Sequence, residues 1–246
     1  MPMIEEFAKS GNWLFRWRSY LPLFLIALIV SSLHYFGYPY GSHHLDNLWE
    51  LICLCVSLIG LAVRILTLGY APRRTSGRNT KRQVADILNT KGMYSVIRHP
   101  LYLGNFLLGL GVFLFLRIWF IPLIYALAFV LYYERIMFAE EMFLREKFSE
   151  AYMEWASRTP SFLPKLRQWK RPDLDFSWKT SLKREYQTFF TLILVMFCME
   201  TLSDSYLQKK LTLDPLWVAL LGIAFVFYCV VRAIRKWTKW LHVQRR

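Results

Sequence analysis

The chain has 246 residues, 55% of them hydrophobic, with a positive mean hydropathy, a balance that excludes an ordinary soluble domain of this length. Its formal charge of +14 sits in basic clusters between apolar stretches rather than along one stripe. That pattern points away from nucleic acid and toward topology signals and contacts with anionic lipid headgroups.

The expected fold class is all-α: a polytopic helical membrane protein with about six transmembrane helices, each needing roughly 20 apolar residues. The first candidate is residues 20–36, slightly short. It follows Arg16 and Arg18 like a signal peptide but lacks a small-residue cleavage site, so it reads as a retained span. The second is residues 48–70, and the linker between them carries Gly37, Pro39 and Gly41 but no Lys or Arg. The loop after it contains Arg73, Arg74, Arg78, Lys81, Arg82 and Lys91, which places it, and the N-terminus with Lys9, Arg16 and Arg18, in the cytoplasm. Spans three and four, residues 101–116 and 118–138, are separated by Arg117 alone and should form a tight helical hairpin. The side chain of Arg117 is expected to snorkel to the interface.

Beyond Phe138 the chain becomes charged and amphipathic until Pro160 and Pro164 end the helix. Residues 145–184, basic and interspersed with Trp155, Trp169 and Trp178, suit a cytoplasmic layer against headgroups. Residues 188–206 and 213–234 supply spans five and six, and the basic tail 232–246 returns to the cytoplasm, so both termini are expected there. With no internal repeat or low-complexity linker, residues 1–246 read as a single membrane domain.

The cysteines, Cys53, Cys55, Cys198 and Cys229, all lie in apolar stretches and read as small hydrophobes without a disulfide framework. Zinc chemistry at His34, His43 and His44 lacks a defined third ligand, so no metal site is expected.

Polar chemistry concentrates where a basic loop enters the short third span, from Gly92 to Asn105. Pro100 fits the first turn of a helix, which makes His99 its cap. The N–H groups beyond it, with Arg98 beside them, form a natural site for a carboxylate or phosphate, and Tyr102 shares the face of His99. Gly104, Gly109 and Gly111 would let a helix or a flat ligand approach, helix packing being the favoured reading.

A second concentration lies on the returning arm. Glu134 with Arg135 is a functional candidate or a local ion pair, because carboxylates at membrane depth need a partner or a polar cavity. Glu141, Leu144, Phe148, Tyr152 and Trp155 recur at three- and four-residue spacing, so Glu141 starts an inward face.

Together these residues resemble the isoprenylcysteine carboxyl methyltransferases and the related phospholipid methyltransferases. The resemblance rests on the G-x-Y-x-x-x-R-H-P-x-Y-x-G block from Gly92 to Gly104, the hairpin, Glu140-Glu141-x-x-Leu144, then Phe148, Tyr152, Pro160 and Pro164. It covers residues 48–164 as a family-like core and leaves residues 165–246 as a basic cytoplasmic segment with two additional spans. The family's usual phenylalanine-glycine pair is Phe148-Ser149 here, and the arginine before the paired glutamates is Arg135.

The resemblance implies S-adenosylmethionine as cofactor, contacted by Tyr94, His99, Pro100, Leu101, Tyr102 and Glu140, and the helix start and its glycines add Arg98 and Gly104 as expected cofactor contacts. It also implies a lid from the loop containing Leu88 and Asn89. Arg135 or the basic loop is expected to orient the acceptor, and Glu141 to act as base if the acceptor is an amine or phenol. The expected acceptor is a membrane lipid or lipid-modified molecule, methylated on a carboxylate or phosphate oxygen, in a bacterial inner membrane. Residues 76–81 and 88–90 are similar to bacterial members that include lipid A phosphate methyltransferases. An NADPH-dependent sterol or enone reductase, which shares a similar hairpin, and a non-catalytic membrane scaffold are the alternatives.

Overall fold

The computed structural model describes residues 3–17, 24–38, 43–72 and 85–241, and the regular elements among them are helices. In chain order these are α1 (Met3–Trp17), α2 (Phe24–Ser32), α3 (His43–Tyr70), α4 (Met93–Val96), α5 (Pro100–Leu114), α6 (Phe120–Arg158), α7 (Trp178–Gln208) and α8 (Pro215–Trp237). Among the described residues, α3, α6, α7 and α8 are long and apolar enough to cross a membrane, while α5 is a shorter apolar helix. The protein is a polytopic helical membrane protein. Its α8 exposes Ile223, Phe225, Val226 and Val230, an arrangement that lipid rather than water would solvate. The expected first span is described as α2 followed by a 3-10 turn, Leu33–Tyr35, and its first residues, 20–23, lie outside the described part.

Small residues set the packing of α5. A Cβ on Gly60 of α3 would lie 2.5 Å from Leu108 N, and one on Gly104 would lie 2.5 Å from Arg64 Cγ and 2.9 Å from Gly60 O, so the two backbones nearly touch. Gly111 meets Cys53 and Ser57 of α3 in the same way, and Gly109 receives the Tyr125 ring of α6. Helix packing is thus what these glycines serve.

The α5–α6 hairpin turns at Arg117, whose φ of 53° lies in the left-handed region. Its side chain does not snorkel outward. It ion-pairs with the buried Asp46 (Nη2 to Oδ1, 3.3 Å) and donates to Gly37 O. A buried carboxylate at the start of α3 attracts the guanidinium more strongly than the interface does.

One element was not foreseen. Helix α1 packs along α6, with Phe15 buried and Gly11 against the backbone of Arg135. The Tyr132 hydroxyl donates to Leu14 O at 2.8 Å, and the Phe7 and Phe138 rings meet edge to face at 5.9 Å.

Candidate active site

The loop entering α5 is held by the segment that follows α6. Gly92, at φ 62°, starts α4 in a conformation that favours glycine, and its N–H donates to Lys170 O at 2.9 Å. Ser95 Oγ donates to Gly92 O (2.7 Å) and accepts from Lys170 N (2.9 Å). Arg98 N donates to Pro160 O (2.8 Å) and Lys165 N to Val96 O (3.0 Å). These bonds tie the two ends of α4 to the irregular segment after α6, and they fix the direction in which residues 98 and 99 leave the loop.

Pro100 occupies the first turn of α5 and His99 the cap position, as the spacing indicates, but the imidazole does not cap the helix. The amides of Tyr102 and Leu103 donate to His99 O at 3.1 and 3.2 Å, leaving fewer free N–H groups than expected. The His99 ring, 6% exposed as a residue, instead crosses to α6, where Nε2 lies 2.9 Å from Glu141 Oε1. Arg98 Nη1 donates to the other oxygen, Glu141 Oε2, at 2.8 Å. Tyr102 donates its hydroxyl to Glu140 Oε2 at 2.9 Å, and His99 Nδ1 lies 3.7 Å from that same oxygen. Two adjacent carboxylates are therefore gripped by three residues of the α5 entrance.

Aromatic rings line the rest. His99 and Tyr102 stack with centroids 5.6 Å apart, and Tyr102 leans on Tyr133 at 4.8 Å. The Tyr94 carbonyl accepts from Trp155 Nε1 at 3.0 Å. Burial, assisted by the Glu140 charge, pushes the Tyr94 phenol above its ordinary range, so it stays protonated as a hydrogen-bond donor. Arg98 Nε is buried with no hydrogen-bond partner among the described residues. A cleft of about 620 Å³, lined by Leu88, Thr90, Ser95, Trp155, Trp169 and Lys170 among others, adjoins this group through Ser95 and Trp155.

The expected site residues thus divide. Tyr94, Arg98, His99, Tyr102, Glu140 and Glu141 meet at one place, with the buried Pro100 and half-buried Leu101 supporting the turn. Gly104 faces α3. Arg135 faces α1: Nη1 is 3.2 Å from Ser10 Oγ, and its guanidinium carbon lies 4.9 Å from the Phe7 ring centre. Glu134 is exposed.

Behind the site lies a polar link that sequence reasoning missed. Arg64 of α3 holds Glu185 of α7 through two bonds, Nε to Oε2 at 3.0 Å and Nη2 to Oε1 at 2.7 Å, and also donates to Asn105. Asn105 Nδ2 lies 3.4 Å from the Tyr133 hydroxyl, which connects this link to the aromatic wall.

Fold and site define a helical membrane protein with a polar constellation where a short apolar helix meets a long one. Residues 76–151 match the model of the phospholipid methyltransferase family. The chain is 30% identical to the cobalt-zinc-cadmium resistance protein CzcN of Cupriavidus metallidurans, over 63% of this chain and 67% of that protein. It is 31% identical to the nickel-cobalt-cadmium resistance protein NccN of Alcaligenes xylosoxydans xylosoxydans, over 61% of this chain and 63% of the relative. It is also 29% identical to the protein-S-isoprenylcysteine O-methyltransferase of Schizosaccharomyces pombe, over 35% of this chain and 36% of that enzyme. No solved structure matches the chain significantly. The chain belongs to the membrane methyltransferase family that includes the phospholipid and isoprenylcysteine enzymes. These matches do not favour the reductase and scaffold alternatives.

Proposed function

We propose that this chain transfers a methyl group from S-adenosylmethionine to an already ionised oxygen, carboxylate or phosphate, of a lipid or lipid-linked acceptor. The observation that carries the reading is the clasp of Arg98, His99 and Tyr102 on Glu140 and Glu141, which lies inside the family-matching segment. Two relatives carry resistance names, which state no reaction, so the reaction class comes from the methyltransferases.

The residues present fit the cofactor. The Nε–H of Arg98, without a partner among the described residues, is a donor suited to the methionyl carboxylate. Glu140, held at one oxygen by Tyr102, has its side chain 34% exposed and can accept from ribose hydroxyls. The half-buried Tyr94 ring can pack against the adenosyl group, while the buried, mutually stacked His99 and Tyr102 hold Glu141 and Glu140 in place. When bound, S-adenosylmethionine supplies an electrophilic methyl group on a sulfonium; orientation and exclusion of water fall to the chain.

Glu141 has both oxygens engaged, by Arg98 and His99, so taking a proton would disrupt two charge-assisted contacts. We read it as a positioning residue, and that reading favours an acceptor that needs no general base. The acceptor's lipid tail enters sideways from the bilayer, and the basic end of the molecule faces the cytoplasm.

Calorimetry tests the cofactor. Purified protein should bind S-adenosylhomocysteine and not NADPH, and His99→Ala should weaken that binding at least tenfold, about 1.4 kcal/mol, while remaining folded in detergent. NADPH binding, or an unchanged affinity in the variant, would defeat the assignment. Methyl-labelled S-adenosylmethionine given to membranes containing the protein should then label a lipid fraction, and a label on an amine would overturn the oxygen acceptor.

A further inference from the structure

At the end of the bundle away from this site, where α3 and α8 begin and α7 ends, the fold gathers buried negative charge. Asp46 and Glu50, one turn apart on α3, and Glu200 of α7 each bring a carboxylate oxygen within 4.8 Å of the other two. The three residues are 1%, 2% and 1% exposed, respectively.

Glu50 is held in place, since the fully buried Trp217 of α8 donates Nε1 to its Oε2 at 2.7 Å. Glu200 is not: both its carboxylate oxygens are sealed from solvent, and neither meets a hydrogen-bond donor among the described residues. Among the described residues, Arg117 brings a cation to the group, 3.3 Å from Asp46 Oδ1. Neighbouring Asp204 adds no positive charge, and it accepts from the Tyr38 hydroxyl at 2.7 Å.

A buried carboxylate without a partner is costly, so charge of the opposite sign belongs beside Glu200. With Arg117 contributing one positive charge, a divalent ion would offset three of the four carboxylates gathered here, Asp204 being the fourth. The donor set is oxygen throughout, which suits hard cations rather than those preferring thiolate or imidazole. The Trp217 bond to Glu50 is the kind of outer contact that orients a metal-binding carboxylate.

We propose that Asp46, Glu50 and Glu200 form a binding site for a hard divalent cation of the Mg²⁺, Ca²⁺ or Mn²⁺ class, tying α3 to α7 at the end opposite the methyltransferase site. The competing arrangement is a proton shared between the adjacent Glu50 and Glu200 carboxyls.

Mn²⁺ is the probe, because its electron paramagnetic resonance signal distinguishes free from bound ion. Full-length protein in detergent, stripped with chelator, should take up one Mn²⁺ per chain, and Mg²⁺ or Ca²⁺ should displace it. Mn²⁺ should also raise the thermal unfolding midpoint. Glu200→Gln should weaken uptake more than tenfold and abolish the thermal shift, and Trp217→Phe should weaken uptake about tenfold. If a variant fails to fold, uptake by the stripped wild-type protein decides alone. No uptake of Mn²⁺, Mg²⁺ or Ca²⁺, with an unmoved midpoint, would overturn the site in favour of the shared proton. Uptake of Zn²⁺ alone would overturn the hard-cation class.

Discussion

Ser149 has φ 44° and ψ −114° inside α6, where the helix kinks. A side chain at positive φ costs on the order of 1–3 kcal/mol unless its surroundings enforce it, and the family resemblance places glycine at this position. The kink follows the Glu140–Glu141 pair and redirects the last turns of α6, so that Trp155 reaches the Tyr94 carbonyl. Ser149→Gly should therefore raise stability by about 1 kcal/mol, read as a higher unfolding midpoint, with cofactor affinity unchanged. A lower midpoint would mean that the serine side chain compensates its own strain. At Glu141 the expectation concerns function instead. Glu141→Gln keeps a hydrogen-bonding side chain but removes the charge that orders Arg98 and His99. If Glu141 only positions these groups, affinity for S-adenosylhomocysteine and turnover should fall together by roughly tenfold, with the pH dependence of turnover unmoved. Loss of one limb of the pH profile would make Glu141 a base after all.

At the scale of helices, the site's back wall depends on an ion pair between α3 and α7. Arg64 is 17% exposed at its side chain and Glu185 only 3%, so the pair is well shielded. Removing one partner strands the other, at a typical cost of about 3 kcal/mol. Glu185→Gln should destabilise the protein by that order in thermal or denaturant unfolding, whereas Arg64→Met with Glu185→Leu should restore most of the loss. A Glu185→Gln protein as stable as the wild type would show that Asn105 alone satisfies Arg64. The α5–α6 hairpin was legible because Arg117 interrupts an apolar run and Pro100 marks a helix start. Helix α1 was not found, although Phe7, Gly11, Leu14 and Phe15 keep helical spacing: a search for runs of about twenty apolar residues passes over a short amphipathic helix. The hold of residues 160–170 on residues 92–98 was hidden for another reason, since backbone bonds between irregular segments leave no period in the sequence.

Across the whole molecule, the two ends differ in the charge they bury. Lys91, Arg98, Lys165, Arg167 and Lys170 gather near the proposed active site, while Asp46, Glu50, Glu200 and Asp204 lie buried at the other end with Arg117. The acidic group was beyond sequence reading because about 150 residues separate Glu50 from Glu200, and only the fold returns α7 to the start of α3. The basic end, by contrast, follows from the positions of Lys and Arg between apolar stretches, and the same positions predict an orientation. Positive residues flanking spans are retained on the cytoplasmic side, so Lys170 should face the cytoplasm and Leu211, exposed between α7 and α8, should face outward. In a background with the four native cysteines replaced, Leu211→Cys should react with an impermeant maleimide in intact cells. Lys170→Cys should react only after the membrane is opened. Labelling of both in intact cells, or the reverse pattern, would put the Arg98–His99 entrance on the outer face. That entrance would then lack access to S-adenosylmethionine made in the cytoplasm, and the proposed reaction would fail with the topology.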